Sequence, residues 1–275
     1  MEEDVAVTRQ PVDQGASVRA QRAWWDAEAA EYYAEHGAFL GDADFVWGPE
    51  GWTEAELQLL SGGSGMPRGP VLEIGAGAAQ CSRWLTAASV EVVASDLSGG
   101  MLARARDLNA AAPGGAPPLI QCDGTRLPFA DATFATVFTA YGVVPFVADS
   151  AGLMREVARV LRPGGRFVFS TTHPIRWAFA DDPTEAGLRV LAPYFDRSPY
   201  VETDASGQVS YVEHHRTIGD RVRECVAAGL TVLDLVEPTW PERNVAEWGG
   251  WSPLRGELIP GTLIVVTRKD AAACA

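Results

Sequence analysis

The stretch VLEIGAGAAQCSRWL, residues 71–85, sets a carboxylate, Glu73, just before a tight Gly75-Ala76-Gly77 turn that runs into a helix. Glycines at 75 and 77 let backbone approach a ligand where a Cβ would collide. A glycine-rich turn after an apolar strand also serves dinucleotides, whose fingerprint wants glycine or alanine three residues past the second glycine. Gln80 stands there instead. An acidic residue beside the loop also suits a cationic ligand better than a pyrophosphate. Two further carboxylates close apolar runs. Asp96 ends VEVVASD, where it can accept from both hydroxyls of a ribose, and Leu97 and Met101 are placed to pack on a base. Asp123 stands in QCDG beside Gly124 and can accept from an exocyclic amino group. His173 directly follows FVFSTT, and an imidazole changes charge near physiological pH.

These residues act together only if one sheet brings the strand tips to one crevice. From residue 70 the pattern supplies it. Strands are expected at PVLEIG, VEVVASD, PLIQCD, FATVFTA, GRFVFSTT, LTVLDLVE and GTLIVVTRK, with helices near 79–88, 98–111, 149–161 and 213–228. Val-, Ile- and Phe-rich strands separated by helices read as a parallel sheet covered on both faces. The segment at about 173–210 breaks the rhythm and reads as an insertion where a substrate lid would sit. Residues 1–16 are polar and aperiodic and read as disordered. Residues 17–69 read as an N-terminal helical cap on a core at 70–275. In its first helix Trp25, Ala29, Tyr32 or Tyr33 and His36 recur at helical spacing, with Gly37 as the stop.

Glu-x-Gly-x-Gly at 73–77, Asp96, the run from Asp123 to Phe129 and the Leu-Arg-Pro-Gly-Gly turn at 161–165 together resemble the class I S-adenosylmethionine-dependent methyltransferases over roughly residues 70–172. That resemblance implies an α/β, Rossmann-like fold: a seven-stranded, mostly parallel sheet with helices on both faces and the helical cap. It implies S-adenosylmethionine as cofactor and S-adenosylhomocysteine as product. Gly75, Ala76 and Gly77 would face the amino-acid part, with Glu73 mostly orienting the loop through water. Asp96 and Asp123 would hold the ribose and adenine, Leu97 and Met101 would pack on the adenine, and Gly124 and Ala140 are further cofactor candidates.

Such chemistry needs a nucleophile aligned behind the methyl group, exclusion of water and, for some acceptors, a base. His173 and Tyr33 are the candidate catalytic residues, the first at a strand's carboxyl end, the second on the cap helix. His36 reads as a helix-end residue; His214 and His215 read as solvated residues opening an outer helix. Nine tryptophans lie mostly in the flanking segments, where rings line pockets for flat molecules or glue the cap to the sheet. Trp47, Trp52, Tyr141, Trp177 and Tyr194 are the candidate substrate residues. The segments THPIRWAF, PYFDRSPYVE, YVEHHRT and WGGWSPLRG are similar to those of actinobacterial small-molecule methyltransferases, including enzymes that tailor indole alkaloids and cyclodipeptides. This implies methylation at indole C3, which leaves an imine that an internal amide or amine traps as a pyrroloindoline. O- or N-methylation of another natural product is the alternative.

A net charge of −14 with no basic run speaks against nucleic acid as substrate, since such binding draws on Lys and Arg neutralising phosphates. No apolar run is long enough to cross a bilayer and the acidic start is not a secretory signal, so a cytoplasmic location is expected. Cys81, Cys122, Cys225 and Cys274 form no CxxC pair, and neither a metal site nor a disulfide framework is expected. A nicotinamide-dependent oxidoreductase, a protein methyltransferase and a non-catalytic cofactor-binding protein are the rival readings. Monomer and homodimer are not distinguished.

Overall fold

Valine, isoleucine and phenylalanine side chains stack well on a pleated surface, and from residue 71 they alternate between two buried faces. The computed structural model describes residues 6–112 and 114–271. In chain order these contain β1 (Ala6–Arg9), α1 (Gln14–Leu40), α2 (Glu54–Leu57), β2 (Val71–Ile74), α3 (Gln80–Ala87), β3 (Val92–Asp96), α4 (Gly99–Ala111), β4 (Leu119–Gln121), β5 (Phe134–Thr139), α5 (Ser150–Val160), β6 (Leu161–Thr172), β7 (Tyr200–Thr203), β8 (Val209–Glu213), α6 (Ile218–Ala227), β9 (Leu230–Val236), α7 (Pro253–Gly256) and β10 (Thr262–Lys269).

Seven strands form the main sheet in the order β4-β3-β2-β5-β6-β10-β9, and β10 pairs antiparallel with both of its neighbours. The β2–β3, β3–β4, β2–β5 and β5–β6 pairs are parallel. On one face Leu72, Ile74, Val137, Phe167, Phe169 and Val265 pack with Leu153, Val157 and Cys225 of α5 and α6. On the other, Val71, Phe138, Val168 and Ile264 pack with Cys81 and Leu85 of α3. Fully burying each such side chain contributes roughly 1.5–3 kcal/mol. This is the fold that the cofactor motifs imply. Strand order turns back between β2 and β5, and in open α/β sheets the ligand crevice lies at that switch, outside the carboxyl ends of the strands.

Four sequence expectations differ from the structure. Of the expected disordered 1–16 segment, residues 1–5 lie outside the described residues. Ala6–Arg9 is a strand pairing antiparallel with β7, and α1 begins at Gln14, capped by Asp13. A four-residue exposed strand carries no apolar signal, so its partner almost 200 residues away was invisible. Helix α1 does not stop at Gly37. It continues to Leu40 and ends at Gly41 (φ +71°). The Tyr33 ring packs so closely over Gly37 that a Cβ there would lie 3.1 Å from it. The insertion is more than a loop: β7 and β8 join β1 in a second, three-stranded antiparallel sheet. The helix expected at 213–228 begins only at Ile218, where Thr217 and Asp220 form a capping box. His214 and His215 precede it and are buried, not solvated.

The small sheet carries α1. Val201 and Val212 pack on Ala20, the Gln21 amide donates to the Val212 carbonyl at 2.5 Å, and Ser17 Oγ pairs with His214 Nε2 at 2.9 Å. At the other end of the crevice, Asp26 Oδ1 accepts from Ser98 Oγ (2.6 Å) and Gly100 N (2.9 Å), which docks α1 on the N-terminus of α4. A Cβ at Gly100 would lie 2.8 Å from the Asp26 carbonyl, so glycine permits this approach.

Candidate active site

The strand tips, α1, β8 and the 248–251 turn enclose one cavity of about 480 Å³. Every cofactor candidate lines it: Glu73, Gly75, Ala76, Gly77, Asp96, Leu97, Met101, Asp123, Gly124 and Ala140. The glycine turn works as its residue types demand. Gly75 (φ +70°) passes so close to Val143 that a Cβ would collide with that side chain. Gly77 (φ +53°) has nothing within 4 Å of its Cβ position, which leaves backbone exposed to the open space. Asp96 fixes the turn: its carboxylate accepts from Gly77 N at 2.7 Å and Ser98 N at 2.8 Å. Asp123 Oδ1 accepts from Thr125 N and Oγ1, both at 2.8 Å.

Two of these carboxyls are raised above their ordinary range. Burial lifts Glu73 to about 7, against bonds from the Ser82 hydroxyl and backbone N–H that favour its ionised form. Burial likewise raises Asp96, against the backbone donors at Ser98 and Gly77. A cationic, diol-bearing molecule would offset both effects. The open backbone at Gly77 and the carboxylates at 73, 96 and 123 therefore fit S-adenosylmethionine.

The catalytic candidates are placed differently from their expectation. His173 is buried and does not line the cavity. Its Nδ1 accepts from Ile175 N at 3.1 Å, capping the 3-10 turn Pro174–Ala178, and its Nε2 meets Glu237 Oε1 at 2.8 Å. With Nδ1 accepting, the proton lies on Nε2 and is donated to Glu237. Burial holds this imidazole below its ordinary range although Glu237 pulls the other way. His173 thus shapes the turn that carries Arg176 to the cavity wall. Tyr33 borders the cavity, but its hydroxyl donates to Asp42 and Arg104 stacks on its ring at 4.2 Å. Its neighbour Tyr32 faces inward, packed against Trp25 (5.2 Å), His36 (4.7 Å) and Trp248 (6.4 Å).

Of the five substrate candidates only Tyr141 lines the cavity; burial raises its hydroxyl far above the ordinary tyrosine range. Trp47 is fully buried with Phe45 and Phe138, its Nε1 donating to Glu54. Trp52 donates to the Thr239 carbonyl at 2.8 Å and carries Arg243 on its face. Trp177 packs against Arg9, Arg176 and His215, and the Tyr194 hydroxyl accepts from Ile218 N at 3.0 Å. Those four rings join segments to one another.

Other rings take their place. Trp24, Trp25, Tyr32, His36, Phe146, Tyr211, Trp248 and Trp251 also line the cavity. His36 stacks flat on Trp248 at 4.1 Å. Burial holds its imidazole below the ordinary range although Glu35 pulls upward, so it is neutral at pH 7. Trp248 and Trp251 face each other across a two-glycine turn, each N–H donating to the other's carbonyl at 2.9 Å. The buried Arg255 guanidinium anchors this turn, donating to the carbonyls of Gly250 (2.7 Å) and Asp182 (3.3 Å). The spacing 25, 32, 36 was a helical stripe readable in the sequence, and WGGW at 248–251 was readable as a further pocket wall; the stacking of His36 on Trp248 was not.

Comparison with known proteins agrees with this geometry. Residues 72–169 match the family model described as a methyltransferase domain. A demethylmenaquinone methyltransferase of Mycobacterium sp. (strain JLS) is 42% identical over 203 residues, which span 73% of this chain and 75% of that protein. Its counterpart in Mycolicibacterium vanbaalenii is 42% identical over 144 residues, and there the match spans only 55% of the relative's length. Among solved structures, an S-adenosylmethionine-dependent methyltransferase from Mesorhizobium loti superposes with a TM-score of 0.56 at 29% identity, covering 72% of this chain and 90% of that one. Motifs, fold, cavity and relatives converge: the chain belongs to the class I S-adenosylmethionine-dependent methyltransferases.

Proposed function

We propose that the protein methylates a flat aromatic small molecule bound in the ring-lined half of the cavity. The observation that supports this reading is the wall formed by Trp25, Tyr32, His36, Phe146, Tyr211 and Trp248, continuous with the residues that fit the cofactor. Bound S-adenosylmethionine supplies a methyl group already activated as an electrophile by its sulfonium. The protein's part is to hold the acceptor and exclude water, and alignment of two reactants is worth up to ~7–11 kcal/mol of a barrier. Stacking between rings fixes the plane of the acceptor. His36, neutral and facing the cavity, takes the acceptor's proton in place of His173.

Within this class the finer reading is methylation at indole C3, with His36 accepting from the indole N–H as the imine forms. A second reading, ring methylation of a naphthoquinol, is favoured by the name of the relatives at 42% identity. Both are ring-carbon methylations; O- and N-methylation remain the alternatives. Mass spectrometry after incubation with methyl-labelled S-adenosylmethionine and a panel of indoles, naphthols, phenols and amines separates them. Label at C3 of an indole supports the first reading, and label on a naphthol ring carbon the second. Cofactor binding with no labelled aromatic product would contradict the proposal.

A further inference from the structure

The acceptor half of the cavity is uneven in charge. Arg176, the one guanidinium among the described lining residues, is already matched: its Nη2 lies 2.8 Å from Asp181 Oδ2 and its Nη1 3.5 Å from Glu213 Oε2. Glu28 is not matched. It lies half-buried on the cavity face of α1, one helical turn from Trp24, Trp25, Glu31 and Tyr32. Among the described residues no hydrogen bond or ion pair reaches its carboxylate. The rings beside it make a continuous wall: Trp24 meets Trp25 at 4.6 Å and Tyr211 at 5.0 Å, and Trp25 meets Phe146 at 5.8 Å.

Ring faces attract a cation through their quadrupole, more strongly where water is excluded, and cages of aromatic side chains are a recurring way of recognising ammonium groups. An unmatched carboxylate within such a wall adds Coulombic attraction and repels an anion. We infer that the acceptor is an aromatic molecule carrying a protonated amine, its ammonium held by Glu28 and the rings of Trp24 and Trp25. This rests on reading the cavity as the acceptor site and narrows it. Among indoles it selects amine-bearing ones over uncharged cyclodipeptides, and it sets them above a neutral naphthoquinol.

The test is calorimetry on the full chain saturated with S-adenosylhomocysteine, using three 3-substituted indoles of different charge: tryptamine (a cation), 3-ethylindole (neutral) and indole-3-propionate (an anion). Tryptamine is expected to bind at least about tenfold more tightly than either of the others. In Glu28→Gln that advantage falls to within about twofold, with 3-ethylindole unchanged. Equal or weaker binding of tryptamine overturns the inference and leaves the aromatic-acceptor reading standing, as does a cation preference that survives in Glu28→Gln. Failure of all three probes to bind overturns the inference and the indole reading together, and leaves the naphthoquinol reading standing. Should the variant not fold, the ranking on the natural protein decides.

Discussion

Glu73 sits at the base of the glycine turn with its carboxyl raised to about 7 by burial, the nearby charge of Asp96 adding to the lift. A cation placed beside it favours the ionised form. Cofactor binding is therefore expected to release a proton near neutrality, and affinity to rise as pH increases through about 7. Calorimetry in two buffers of different ionisation enthalpy measures that proton, and binding heats that do not depend on buffer would contradict the assignment. His36 gives a second prediction. Replacing it with Gln should lower turnover about 10²-fold and remove the fall in kcat/KM on the acid side, where its imidazole, held below the ordinary range by burial, gains a proton. His173→Ala should keep that fall, because His173 holds a turn and meets Glu237 rather than the cavity. Glu73, Asp96 and Asp123 were legible in the sequence as carboxylates at or near the ends of apolar strands, and all three line the cavity. His173 also follows a strand, yet Pro174 turns the chain at once and the ring caps the turn. Position next to a strand end does not fix where a side chain points. For the same reason Trp47, Trp52, Trp177 and Tyr194 were readable as pocket or packing rings, without a signal that chose packing.

Between elements, the decisive seam joins α1 to β8, since it hangs the ring-bearing helix over the crevice. His214 sits in that seam, buried, with Ser17 on its Nε2, and burial lowers its pKa to about 4, the charges of Arg216 and Arg221 adding to the effect. A histidine depressed in the fold contributes stability that is complete above the unfolded value of 6.5 and is lost as pH falls through about 4. Across that window the loss is roughly 3 kcal/mol. His214→Gln should be less stable at neutral pH, lacking the imidazole's packing, but should lose correspondingly less between about pH 7 and pH 4. Urea midpoints across that range for both proteins measure the difference, and parallel curves would remove His214 from the account. The seven main strands and their helices were readable because apolar runs and helical spacing declare themselves locally. The small sheet was not: β1 is exposed at all four positions, and its pairing with β7 spans most of the chain.

At the scale of the whole molecule, one cavity joins two kinds of wall. Strand tips of the main sheet supply the carboxylates and glycines; α1, β8 and the 248–251 turn supply the rings. Arg255 ties that turn to the 182 loop, while Asp26 ties α1 to α4, so residues from both ends of the chain close one space. No helix among the described residues is long and apolar enough to cross a membrane. A crystal structure with S-adenosylhomocysteine decides whether cofactor and acceptor divide this cavity between them. The amino-acid end is expected along Glu73–Gly77 and the nucleoside between Asp96 and Asp123, with open space left among Trp25, Tyr32, His36 and Trp248. A nucleoside stacked among those rings, with Asp96 and Asp123 free of it, would overturn that division.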